Sequence, residues 1–242
     1  MKVHDSADGV QDVAKDHATS AGEARHDAAE ARWLTAFLRG PIRTRWSRLP
    51  PQIGDRAPRV ELPDATGRVR RLDEWSSVGP VHLMFLRHFG CSCLSERWDR
   101  LRDELEAIDA AGATTIAVSQ AEPQRTAEVA ARRGYPFPIL CDPERVTYEA
   151  FGLVEGTPAQ VLHDFPWRPN DRATADKLIG SRAGTESAVV DDPWQLPGEF
   201  VIAKGGQIAL ALRYQYCEDF PPQTVLLGAI AAAKVGVGAS QD

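Results

Sequence analysis

The stretch Val81-His82-Leu83-Met84-Phe85-Leu86-Arg87-His88-Phe89-Gly90-Cys91-Ser92-Cys93 decides how the rest of the chain is read. Its first six residues form a dense apolar run of strand length, the pattern of a strand buried on both faces in a parallel sheet. After the two cysteines, Leu94, Trp98, Leu101, Leu105 and Ile108 recur at helical spacing until Gly112 closes the pattern. A buried strand that runs through a short loop into an amphipathic helix is half of a β-α-β unit, and the next apolar run, Thr114 to Val118, supplies the second strand.

The same alternation continues outward. Ala121 to Arg133 reads as a helix with Glu122 and Pro123 in its first turn, Phe137 to Leu140 as a short strand, and Asp142-Pro143-Glu144 as the opening of a helix that ends near Phe151-Gly152. Leu196-Pro197-Gly198 precedes a strand over Glu199 to Ala203. Lys204-Gly205-Gly206 turns it into a partner, Gln207 to Tyr214, and a helix over Thr224 to Lys234 follows. Upstream, Val60 and Leu62 alternate between turn signals, and Val69 to Leu72 makes a second short strand. Trp33, Leu34, Phe37 and Leu38 share one helical face in a segment that Pro50-Pro51 ends, with Arg39, Arg43, Arg45 and Arg48 alongside. The order predicts an α/β domain with a mixed sheet and an antiparallel hairpin at one edge.

The expected organisation is a disordered acidic tail over 1–32, a helical extension over 33–50 and one domain over 51–242. The tail carries no aromatic residue and too little apolar surface to offset its ordering entropy. An insertion over 154–196, which holds Trp167 and Trp194, fits no regular element and has the length of a functional lid.

Composition excludes several classes. A chain of 242 residues with 43% apolar and 26% charged residues can build its own core. A net charge of −6 disfavours a nucleic-acid partner, and no apolar run approaches the ~18 residues of a membrane span. The polar, acidic N-terminus shows no secretory signal, so the expectation is a cytoplasmic protein with no nucleic-acid and no membrane partner. Four cysteines are too few for a disulfide scaffold and point to catalysis, metal binding or burial.

Cys91 and Cys93 stand at a strand-to-helix junction, where free N–H groups and the helix dipole stabilise negative charge and draw a thiol toward thiolate. Arg87 adds positive charge nearby, as does His88 when protonated. Two cysteines one residue apart can also close a small disulfide ring. Redox chemistry is the sharper reading; metal binding by Cys91, Cys93, Cys217 and His88, or plain burial, are the alternatives. Cys141, at a strand end before Asp142-Pro143, reads as structural.

The segments Gly54-Asp55-Arg56-Ala57-Pro58, Leu62-Pro63-Asp64, Phe85 to Cys91, Phe137 to Pro143 and Pro197 to Ile202 resemble the peroxiredoxin and alkyl hydroperoxide reductase family, over roughly residues 50–235. The resemblance implies a thioredoxin-like, peroxiredoxin-like mixed sheet flanked by helices. It implies a thiol-dependent oxidoreductase that reduces hydroperoxides through a sulfenic acid and a disulfide, without a cofactor. A hydroperoxide or disulfide is then the substrate, a thioredoxin-like dithiol the reductant, and a homodimer the expected assembly. The family carries Cys-x-x-Cys or Thr-x-x-Cys where this chain has Cys91-Ser92-Cys93. Cys91 takes the first position if the register is kept from Gly90; Cys93-Leu94-Ser95-Glu96 matches a Cys-x-x-Glu pattern if one residue is deleted. The resemblance further implies that Arg213 flanks the thiolate and that Pro197, as a cis-proline, faces the cysteines. Cys217 leaves the same strand as Arg213, which puts it within reach of Cys91 and Cys93 as a resolving cysteine or makes it a spectator loop cysteine. The alternatives are a thiol–disulfide reductase or isomerase using the Cys91/Cys93 dithiol, and a redox- or metal-responsive binding protein.

Overall fold

The computed structural model describes residues 31, 34–162 and 191–235. The predicted tail over 1–32, apart from Ala31, lies outside the described residues, as does the middle of the 154–196 insertion, including Trp167. A central sheet is built from β3 (Val81–Phe85), β4 (Thr114–Ser119), β5 (Ile139–Cys141), β6 (Gly198–Ile202) and β7 (Ile208–Arg213), in the order β5-β4-β3-β6-β7. β3, β4 and β5 run parallel, and β6 and β7 add the antiparallel edge. A small hairpin of β1 (Glu61–Pro63) and β2 (Val69–Arg71) lies at the β5 edge, bridged from Asp64 to Leu140. The mixed sheet and its hairpin are as expected from the order of apolar runs.

Alternation along the strands sorts side chains onto two cores. Leu83, Phe85, Ile116, Val118, Phe200 and Ile202 face one side, where Tyr148 and Phe151 of the turn containing α4 (Val146–Ala150) cover them. Met84, Ala117 and Val201 face the other side, beneath α2 (Ser92–Ala110) and α6 (Gln223–Val235), with α3 (Pro123–Arg133) at its flank. Two further helices are short, α1 (Asp73–Ser76) and α5 (Pro158–Leu162), and α5 gives the start of the 154–196 insertion a regular element that the sequence pattern did not show. All five residues of β3 are buried, as a strand enclosed by both layers must be.

The helical extension expected over 33–50 is shorter. Helix covers 34–39, Gly40 adopts φ 77°, and Pro41, which lacks an N–H, cannot continue it. The chain from 40 to 50 is irregular and strapped to the body. Glu155, its side chain fully buried, accepts from the backbone N–H groups of Ile42 (2.6 Å) and Arg43 (3.1 Å) and from Arg145 (3.1 Å). Trp46 donates through Nε1 to the Gly152 carbonyl at 2.9 Å.

Candidate active site

β3 delivers the cysteine motif to the carboxyl edge of the parallel strands. Tyr148 fixes the end of that delivery: its buried hydroxyl lies 2.8 Å from the Leu86 carbonyl and 2.9 Å from the Val118 carbonyl. The chain then turns, with the Cys91 N–H donating to the His88 carbonyl at 3.0 Å. Cys91 is the N-cap of α2, extended at φ −80° and ψ 132°, and Cys93 sits in the first turn. Both residues therefore stand at the N-terminus of a 19-residue helix, where the first N–H groups lack intrahelical partners. They are joined in a disulfide with Cα atoms 5.3 Å apart, and both residues are buried.

The segment that returns from the insertion closes over this motif. Phe89 donates its N–H to the buried Asp191 carboxylate at 3.0 Å, and Arg87 donates to the Gln195 carbonyl at 2.5 Å. Burial pushes the Asp191 carboxyl up against this N–H and the charge of Arg125. Trp194, between these two contacts, stacks on Phe37 at 5.1 Å and donates to the Ala36 carbonyl at 3.0 Å.

Beside the disulfide is a cavity of about 270 Å³, counting its open mouth. Most of its wall is apolar, including Met84, Leu86, Leu94, Pro197 and Phe220, with Cys93, Cys217, Arg87, Arg97, Glu199 and Tyr214 supplying the polar atoms. The structure thus brings together Cys91, Cys93, Cys217, Arg87 and Pro197. The peptide before Pro197 is trans, not the cis form implied by the resemblance, yet the ring still lines the cavity with Cys93. His88 is buried in the loop before the cysteines. Cys217 is buried, with Sγ 3.6 Å from the Val161 carbonyl oxygen.

Arg213 is placed elsewhere. It leaves β7 on the Phe200 side, 5.3 Å from that ring, and donates to the carbonyls of Phe151 (2.8 Å) and Pro51 (2.5 Å). A register shift at Val201/Ile202 explains the side it takes. Simple alternation from Ile208, which faces the Tyr148 core, puts Arg213 on the cysteine face; the bulge reverses the parity, so Ala211 and Arg213 share the face of Ile208. Cys141 also lies apart, on β5, donating to Thr126 at 3.3 Å, and burial raises its thiol pKa.

Sequence reasoning missed the polar network under the cavity. Glu199 of β6 accepts from Arg97 of α2 at 2.7 and 3.0 Å and from the Tyr214 hydroxyl, and lies 2.7 Å from His82 Nε2 of β3. Arg97 also pairs with Glu104 at 2.9 Å. Burial alone pushes the Glu199 carboxyl up, but Arg97 and His82 outweigh it and hold it well below the ordinary carboxylate range. A histidine in the middle of a fully buried strand was the one available signal: its ring needs a polar partner inside the core. Among the described residues no group of three His, Cys, Asp or Glu side chains is arranged to hold a metal ion, and no helix is long and apolar enough to cross a membrane.

The family model described as AhpC/TSA antioxidant enzyme matches residues 100–216, which begins just after the cysteine motif. A Mycobacterium tuberculosis protein assigned to the peroxiredoxins, Rv2521, is 30% identical over 109 residues, 45% of this chain and 68% of that protein. Among solved structures, peroxidoxin BcpB from Mycobacterium tuberculosis superposes with a TM-score of 0.52 at 19% identity, covering 76% of this chain and 99% of that one. A thiol peroxidase from Chromobacterium violaceum superposes at 0.52 with 15% identity, over 74% and 85% of the two chains. These likenesses make the fold thioredoxin-like. With a buried cysteine pair at the head of α2, beside a cavity at the carboxyl edge of the sheet, the chain belongs to the peroxiredoxin family of thiol-dependent oxidoreductases.

Proposed function

We propose that the protein reduces hydroperoxides with Cys93 as the attacking thiolate. The observation that carries this is the placement of Cys93 in the first turn of α2 while also lining the cavity, the one member of the Cys91/Cys93 pair that does both. The thiolate attacks one peroxide oxygen; an S–O bond forms, the O–O bond breaks, and the departing alkoxide takes up a proton as an alcohol, or as water from hydrogen peroxide. Cys93 is left as a sulfenic acid. Cys91, one residue away, then condenses with it, releasing water and forming the disulfide. Cys217 borders the same cavity and is the second candidate to resolve the sulfenic acid. Pro197 and His88 shape the surroundings, and Arg213 braces the opposite face. A dithiol of the thioredoxin type would reduce the disulfide, and a cytoplasmic setting, which keeps thiols reduced, suits that cycle. The family reading also carries the expectation of a homodimer, checked by analytical ultracentrifugation.

The test is stopped-flow oxidation of the reduced protein by one equivalent of hydrogen peroxide, followed by tryptophan fluorescence and intact mass. A rate far above that of free cysteine, with two thiols lost and the fast phase abolished in Cys93→Ser, is expected. Cys91→Ser should keep the fast phase, and accumulation of sulfenic acid there assigns resolution to Cys91, whereas a second lost thiol assigns it to Cys217. A rate like that of free cysteine, together with rapid reduction of a protein disulfide, would instead make the chain a thiol–disulfide reductase.

A further inference from the structure

The cavity holds a charge that the surrounding protein leaves unbalanced. Its titratable lining consists of Arg87 after β3, Arg97 on α2, Glu199 on β6, and Cys93, Tyr214 and Cys217. Arg97 is neutralised by both Glu199 and Glu104. Burial raises the Tyr214 pKa and keeps its hydroxyl protonated, as a donor to Glu199. Arg87 differs from all of these. It is 3% exposed, and its hydrogen bond goes to a neutral acceptor, the Gln195 carbonyl. Its buried Nε has no partner among the described residues, nor does any of their carboxylates lie within 4.0 Å of its guanidinium. Removing a guanidinium from water without an anion beside it is strongly unfavourable, and an unsatisfied buried donor adds to the penalty. The sulfur on the same cavity wall belongs to a disulfide, which carries no charge.

We propose that Arg87 is the counter-ion of the Cys93 thiolate, so that the anion it serves exists in the reduced protein and vanishes when the disulfide forms. The inference deepens the reading of Cys93 as nucleophile and rests on it. Arg87 lowers the thiol pKa, and its unsatisfied Nε–H is a donor for the sulfur and then for the oxygen that leaves as the O–O bond breaks. By linkage the same charge favours the dithiol over the disulfide. Arg213, on the far face of the sheet, has no part in this.

The experiment follows the Cβ carbon chemical shift of Cys93 against pH in the fully reduced protein, in parallel with the peroxide rate. The wild-type midpoint should lie below the ~8.5 of an ordinary thiol. Arg87→Gln should raise it by about 1–3 units, Arg87→Lys should recover most of the shift, and Arg213→Gln should leave it in place. A wild-type midpoint in Arg87→Gln, or an equal rise in Arg213→Gln, overturns the proposal. Should Arg87→Gln not fold, Arg87→Met replaces the buried charge with an apolar chain. Its disulfide form should be at least as stable as wild type, and its reduced form less stable than wild type at pH 8; equal losses in both forms overturn the proposal. An Arg87-dependent midpoint in a protein that ignores peroxide would support the counter-ion and sink the peroxidase reading alone.

Discussion

At the scale of single residues, the chemistry depends on which charges are balanced. Glu199 is the clearest case, since it is fully enclosed and answers to Arg97, His82 and Tyr214 at once. Glu199→Gln leaves Arg97 with Glu104 as its carboxylate partner and should destabilise the fold by about 3 kcal/mol at neutral pH, measured by urea unfolding. The pH dependence has a definite sign. A carboxyl depressed on folding contributes stability that is complete above its unfolded value of ~4.3 and is lost as pH falls from there toward the folded value. Wild-type stability should therefore decline below that pH, and Glu199→Gln should lack this component of the slope. An unchanged slope would mean that the network is not what holds the carboxylate charged.

At the scale of elements, the site depends on how β3 ends and α2 begins. The Tyr148 hydroxyl sits between the carbonyls of Leu86, just past β3, and Val118, near the end of β4, close to where the chain leaves the sheet for Arg87. Tyr148→Phe removes that contact and keeps the ring in its edge-to-face packing on Phe85 at 5.0 Å. The loss should be about 1–2 kcal/mol in stability, with faster hydrogen exchange at Leu86 and Arg87. An exchange pattern like that of wild type would show that the loop is set without the tyrosine. Gly152 belongs to the same neighbourhood. It adopts φ 76°, and a Cβ there would overlap the Pro50 ring, so the turn after α4 and the N-terminal strap meet at a position open only to glycine.

At the scale of the whole molecule, the N-terminal segment, the end of the insertion and the cysteine motif form one chain of contacts. Phe37 and Ala36 hold Trp194, the adjacent Gln195 holds Arg87, and Glu155 ties the backbone at Ile42 and Arg43 to the body. Glu155→Ala leaves Arg145 with Asp192 and frees the strap. Trypsin should then cut at Arg43, Arg45 or Arg48 far faster than in wild type, with the sheet intact by circular dichroism and stability lower by about 3 kcal/mol. Cleavage at the wild-type rate would show that the strap is held by its other contacts, such as Trp46 on Gly152.

The sequence by itself determined the strands, the helices that alternate with them and their order, though not the short helices at Asp73–Ser76 and Pro158–Leu162. Burial on both faces of β3 and the 3.6-residue spacing from Leu94 to Ile108 are local consequences of where apolar side chains fall, and local patterns can be read from a linear chain. It also placed Cys91 and Cys93 at a helix N-terminus, because that junction lies within a few consecutive residues. The tertiary structure alone decided the partners. Gln195 meets Arg87 across 108 positions and Glu199 meets His82 across 117, separations over which no periodicity carries information. It decided the face of Arg213 as well, because one register shift in the β6–β7 pair reverses an alternation that otherwise points the guanidinium toward the cysteines.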